Sequence, residues 1–157
     1  MYLEKLPKIA LSVRQPWAWA IIHAGKDIEN RTWDILGKPV RPGDIFSLHA
    51  SKVMTRSDYE KAKEFMSSIG ITCPPPSELR RGGIIGSVCL QETTRRSKSP
   101  WFFGPVGFVL SQASPSDFIA CNGALGFFKW KPDQQAEASP ARWMLAQSQT
   151  PAAPLLL

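Results

Sequence analysis

Apolar and polar positions alternate over Lys8–Val13, with Ile9, Leu11 and Val13 on one side, so the first regular element reads as a strand. Pro16 then suits the first turn of a helix, where its missing N–H would have no partner anyway. A helix is predicted over Pro16–His23, with Trp17, Ala20 and Ile21 on one face and Gly25 ending it. Lys26–Trp33 returns to strand periodicity. Glu29 and Arg31 share one face there, and Ile28 shares the other with Lys26, Asn30 and Thr32. Two turns rich in Gly and Pro lead into a strand over Ile45–His49. Thr55 or Ser57 can cap a helix over Asp58–Ser68, whose stripe is Tyr59, Ala62, Phe65, Met66 and Ile69. Core packing is the first reading of that stripe.

Residues 70–82 read as a loop, Ile84–Gln91 as a strong strand, and 93–100 as a polar loop. Val106–Leu110 and Phe118–Ala120 read as two further strands, and Gly123–Trp130 as a turn that becomes a closing strand. Past Pro132 the chain becomes rich in Gln, Ala, Ser and Pro. The predicted division is a domain over 1–132 and a flexible or loosely docked tail over 133–157, in which 142–146 can form a short helix. Several short strands with two helices predict an α+β fold, a small mixed β-barrel with helices covering its openings.

Composition adds a partner class. The chain has 157 residues, enough for one domain, and a formal net charge of +6. That charge favours a polyanion such as nucleic acid, although many basic proteins bind none. The three cysteines are far apart and form no CxxC, so neither a disulfide framework nor a zinc site is expected, and a reducing cytoplasm fits. The two histidines carry no metal motif, and no cofactor is expected. No apolar run approaches the roughly 18 residues that span a bilayer, and no signal peptide is expected.

Lys26, Glu29 and Arg31 crowd three charges into six residues, which marks one wall of a cleft or a salt-bridge cluster closing one end of the barrel. Lys26-x-x-Glu29-x-Arg31 resembles the GxKxxExR signature of the ASCH domain family. LSVRQPWAWAII, GKDIENRTW, SLHASK, SPWFFGPVGFVLS and GALGFFKW are similar to segments of its stand-alone bacterial and phage subgroup. The resemblance covers Ile9 to Lys131 and implies a PUA-like barrel and binding of RNA or modified nucleotides. One departure is Ala24 at the first Gly of the signature, with Gly25 placed to absorb the turn.

The resemblance also implies rival activities. One is a metal-independent ribonuclease. Another is an amidohydrolase on a modified nucleoside such as N4-acetylcytidine, which fits poorly because Glu29 replaces the hydroxyl nucleophile. Apart from the resemblance, the basic loops leave open a protein-interaction module without enzymatic activity. For catalysis the candidates are Lys26, Glu29, Ser51 and Lys52: a base for the 2′-OH, a donor for the leaving oxygen and a cation on the phosphate. His49 reads as a satisfied polar residue. Arg14, Gln15, Trp17 and Arg31 are candidates for contact with single-stranded RNA or a nucleotide. Arg80, Arg81, Arg95, Arg96 and Lys98 form a candidate rim with Trp101 as a stacking platform. The Gly-flanked turn at Ala124 and Leu125 offers backbone N–H groups to a ligand.

Overall fold

The structure, a computed structural model, describes residues 6–148, and side chains as far as Leu145. Among the described residues six strands form one mixed sheet: β1 (Ile9–Val13), β2 (Ile28–Arg31), β3 (Ile45–Ala50), β4 (Gly83–Thr94), β5 (Val106–Ala120) and β6 (Phe127–Lys129). Their order is β2-β5-β4-β3-β1-β6. Only β1 and β3 run parallel, with Ser12 beside His49, and the connection between them carries α1 (Trp17–His23) and β2. The fold is therefore α+β.

The sheet curls until its two ends meet. Phe108 of β5 stacks on Phe127 of β6 at 6.1 Å, and Trp33, just past β2, packs edge-on against both at 5.4 and 5.9 Å. Phe46, Leu48, Val88 and Leu90 fill the enclosed face. Each such side chain, fully buried, stabilises by roughly 1.5–3 kcal/mol. No backbone ladder joins β2 to β1; the Arg31 guanidinium crosses the seam and donates from Nη2 to the Ser12 carbonyl at 2.8 Å.

The helices close the remaining faces. On α1 the buried side chains are Ala18, Ala20 and Ile21, while Trp17 is half-buried, so the buried face is rotated from the expected one. α2 (Arg56–Ser68) is capped by Thr55, whose hydroxyl accepts from the Asp58 N–H at 3.0 Å. Its Tyr59, Ala62 and Met66 form a second core with Cys73, Leu79 and Trp101. A single 3-10 turn over Pro76–Glu78 interrupts the loop before β4.

Two expectations about the strands also change. Residues 106–120 form one strand, not two, because β4 is long enough to pair with all of it. Three register shifts absorb the polar middle and Pro115. β4 itself extends into the expected polar loop, where Thr93 and Thr94 pair with Phe108 and Gly107. At the signature departure, Ala24 has φ −125° and Gly25 has φ +71°, so the glycine takes the left-handed turn.

The segment from Asp133 packs back on the domain. Ala136 and Met144 are buried, and α3 (Arg142–Ser148) brings Trp143 to 5.8 Å from Tyr59. Residues 149–157 of the expected tail lie outside the described residues.

Candidate functional site

A cleft of about 760 Å³ opens along the seam of the curled sheet. β2 and the turn after it supply Glu29, Asn30, Arg31, Thr32 and Trp33 to one wall. The ends of β1 and β3 supply Ser12, Arg14, His49, Ser51 and Lys52 to the other, with Trp17 at the start of α1. Asn122 to Gly126 form the rim, so the turn at Ala124 and Leu125 lies where a ligand would meet it.

Glu29 is the electrostatic hinge of the first wall. One carboxylate oxygen lies 3.4 Å from Lys26 Nζ and the other accepts from Arg31 Nε at 3.0 Å. Lys26 is 4% exposed, is not among the lining residues, and donates to the Ile28 carbonyl. Its ammonium lies 5.7 Å from the Trp17 ring and 5.9 Å from that of Trp101. Burial pushes its pKa below 10.5, opposed by the Glu29 charge. Lys26 thus neutralises Glu29 from behind the wall and does not itself reach a phosphate in the cleft. Alternation along the strand had placed it opposite Glu29, but β2 begins only at Ile28, so that parity does not apply.

On the second wall Lys52 is exposed at the end of β3, and Arg14 pairs with Asp58 at 3.0 Å. Ser51 accepts from the Val53 N–H at 3.3 Å. Summed over the lining residues Arg14, Arg31, Lys52 and Glu29, the walls carry a positive excess that suits an anion.

Other candidates are withdrawn by their surroundings. Gln15 is 3% exposed; its amide donates to the Arg80 carbonyl at 2.9 Å and accepts from the Trp19 N–H at 2.8 Å, so no free edge remains for a base. It ties the first turn of α1 to the loop before β4 instead. Arg81 is buried and donates to the carbonyls of Lys52 and Ser139. Arg80 is held by both oxygens of Glu137 and lies 4.1 Å over the Phe118 ring. Arg95 is 3.8 Å from Asp34, and Arg96 and Lys98 are exposed on the β4–β5 connection. None of these five lines the cleft.

Trp101, 4% exposed, belongs to the second core and is no platform. An exposed ring outside the cleft is Phe103, 58% exposed, lying 6.4 Å from Trp17 and 5.1 Å from Phe65. Asn30 holds its loop: Oδ1 accepts from the N–H groups of Phe103 and Gly104, and Nδ2 donates to the Trp101 carbonyl.

His49 was expected to be a satisfied polar residue, and it is satisfied, yet it also lines the cleft. Its Nδ1 lies 2.9 Å from Ser12 Oγ and its Nε2 2.9 Å from the Cys121 carbonyl oxygen. Burial lowers its pKa below 6.5, the Cys121 hydrogen bond opposes this, and the Lys52 charge lowers it further. Between the native pKa and 6.5 the unfolded chain binds the proton more readily. Stability is therefore expected to fall as pH drops through that window, and chemical denaturation in a pH series measures it. Sequence reading missed Ser12, Asn30, Trp33 and Asn122; only Ser12, on the polar side of its strand, carried any signal.

Among the described residues no group of three or more His, Cys, Asp or Glu could hold a metal, and no helix is long and apolar enough to cross a membrane. Fold and site together define a small α+β domain with a cationic, aromatic-walled cleft at the seam of its sheet. The family model of the ASCH domain matches residues 11–126, which include Lys26, Glu29 and Arg31, and the chain belongs to the ASCH domain family. Membership is consistent with a nucleic-acid-binding role. No curated protein matches the chain.

Proposed function

We propose that the cleft binds single-stranded RNA and cuts it without a metal ion. The observation that carries binding is the joint placement of Arg14, Arg31 and Lys52 with the Trp17 and Trp33 rings around one open space. Cations hold a phosphate there while a base stacks on an aromatic face. Catalysis is favoured by Ser51 and Lys52 on the wall that faces Arg31, with Lys52 as donor to a leaving oxygen and Arg31 as the phosphate anchor. The amidohydrolase alternative is disfavoured, because Glu29 has no hydroxyl and both of its oxygens are engaged. The curled sheet supports kinship with PUA-like barrels, and the segments quoted above support the stand-alone bacterial and phage subgroup. Three free, buried cysteines support a reducing compartment such as the cytoplasm.

Fluorescence anisotropy of a labelled single-stranded RNA in a salt series tests this. Each phosphate contact adds about −0.7 to the slope of log K against log salt, so two contacts weaken binding about sevenfold from 50 to 200 mM. Lys52→Ala is expected to reduce the slope by about 0.7. Salt-independent binding, or none, would exclude the reading. Phe103→Ala is expected to weaken an oligonucleotide by about 1–3 kcal/mol and leave a mononucleotide unaffected, as one lost stacking contact does. Titrating both ligands against the variant checks it.

A further inference from the structure

Ser12 and His49 form a hydrogen-bonded pair in the wall of the cleft, and the polarity of that bond is fixed. The Cys121 carbonyl can only accept, so His49 Nε2, 2.9 Å away, carries the ring hydrogen. A neutral ring then has its lone pair on Nδ1, and the Ser12 hydroxyl donates to it across 2.9 Å. A hydroxyl must hold this orientation to pass its proton to an imidazole. The ring has little freedom to leave it. His49 is 1% exposed, Phe128 packs edge-on at 5.7 Å, and Gly123 approaches so closely that a Cβ there would lie 2.7 Å from Cε1. His49 is too buried to meet a ligand easily, whereas Ser12 is half-buried at the cleft.

We infer that Ser12 and His49 act together as the proton acceptor for a ribose 2′-hydroxyl in RNA cleavage. This rests on the RNA reading above and replaces Lys26 and Glu29 in the role of base. The 2′-OH gives its proton to Ser12 Oγ as Ser12 passes its own to His49 Nδ1. The O2′–P bond forms and the P–O5′ bond breaks, with the leaving O5′ taking a proton from the Lys52 ammonium. The products are a 2′,3′-cyclic phosphate and a 5′-hydroxyl end. Solvent then returns the His49 proton to Lys52. Arg31 already donates to the Ser12 carbonyl, so its guanidinium lies beside the serine, where the phosphate must sit.

The charged and titratable groups around His49 are Lys52 at the end of its own strand, Arg31 and Glu29 on the facing wall, and the Cys121 thiol with Asp133 near it. Burial and Lys52 hold His49 neutral, so the base is ready at neutral pH. The rate is expected to rise with pH through a value below 6.5 and then level off. A lysine base would move the rise to alkaline pH.

The deciding experiment uses a labelled deoxyoligonucleotide that contains a single ribonucleotide, incubated in EDTA with the full chain, its Ser12→Ala variant and its His49→Gln variant. Binding and thermal melting are measured on the same samples. The expected result is cleavage 3′ of the ribonucleotide with a cyclic phosphate end, slowed at least about 100-fold in either variant at unchanged affinity. If neither variant folds, the wild-type pH profile still decides, read only over the pH range in which melting shows the domain fully folded, where a merely structural pair would not set the rate. A strand bound but uncut would overturn the pair's role and leave the binding reading intact. Wild-type rate and pH profile in a folded Ser12→Ala would overturn it while leaving a ribonuclease. A strand neither bound nor cut would remove both.

Discussion

Glu29→Ala will lower the stability of the domain by about 3 kcal/mol, the lower end of the cost of breaking a buried ion pair. The carboxylate lies between two cations, Lys26 at 3.4 Å and Arg31 at 2.9 Å. Without it the Lys26 ammonium keeps the Ile28 carbonyl, two tryptophan faces and the weaker pull of the Asp27 charge, in a place water hardly enters. Arg31 is more exposed and can turn toward solvent, which is why the lower end applies. Urea unfolding measures the loss. Lys26→Met should cost far less, since an apolar chain suits the site and Glu29 keeps Arg31. The double variant Lys26→Met, Glu29→Gln should lie close to the wild type.

The pH dependence of the alanine variant gives a second check. Its folded form holds Lys26 neutral more readily than the unfolded chain does, so the deficit narrows as pH rises toward 10.5. An alanine variant of full stability that binds no RNA would show instead that Glu29 serves the ligand and not the fold.

Gly82→Ala is the second large effect. Gly82 has φ +89°, and an added Cβ would lie 2.4 Å from the Ala136 carbonyl oxygen and 3.1 Å from the Ala138 nitrogen. Left-handed backbone costs a side-chain-bearing residue about 1–2 kcal/mol. The overlap is with backbone, which cannot rotate away, and adds about 1–3 kcal/mol. The strain is relieved most easily by releasing residues 133–145. That release breaks the Arg80–Glu137 ion pair and the Arg81–Ser139 hydrogen bond. Hydrogen exchange should show amides of 136–144 losing protection while β1, β3 and β4 keep theirs. Gly25→Ala is the control: it has open space around the Cβ, so only the backbone cost of about 1–2 kcal/mol remains. Unchanged exchange in the Gly82 variant would mean that the segment is not held there.

These two sites also show how far sequence reading reached. β1 and β3 follow simple alternation, and α2 follows its stripe and its Thr55 cap; in β4 a register shift carries Ile84 off the face of Val88 and Leu90, and Ile85 packs toward their core instead. The shared face of Glu29 and Arg31 was legible, because both lie inside a strand. Lys26 was misplaced because it lies before the strand, where the Gly25 turn and not the pleat sets direction. β5 was read as two pieces because SQASPSD looks like a break; only the length of β4, a distant partner, shows otherwise. Gln15 and Trp101 have the chemistry of ligand contacts, yet burial removes them, and burial is a property of the whole fold. The Ser12–His49 pair spans 37 residues of sequence and depends on a parallel register that no local pattern reveals.

The way Arg31 spans the seam has a consequence for anyone wishing to retune the protein. One guanidinium answers to Glu29, to the Ser12 carbonyl and to the cleft at once, so altering it for a new ligand also loosens the architecture. Arg14 and Lys52 reach the same space from exposed positions outside the core, where Arg14 also pairs with Asp58 of α2. Redesign of affinity is open at those two, while Arg31 belongs to the chassis. Directed libraries that spare the seam and randomise its far bank will return folded variants with altered ligand preference.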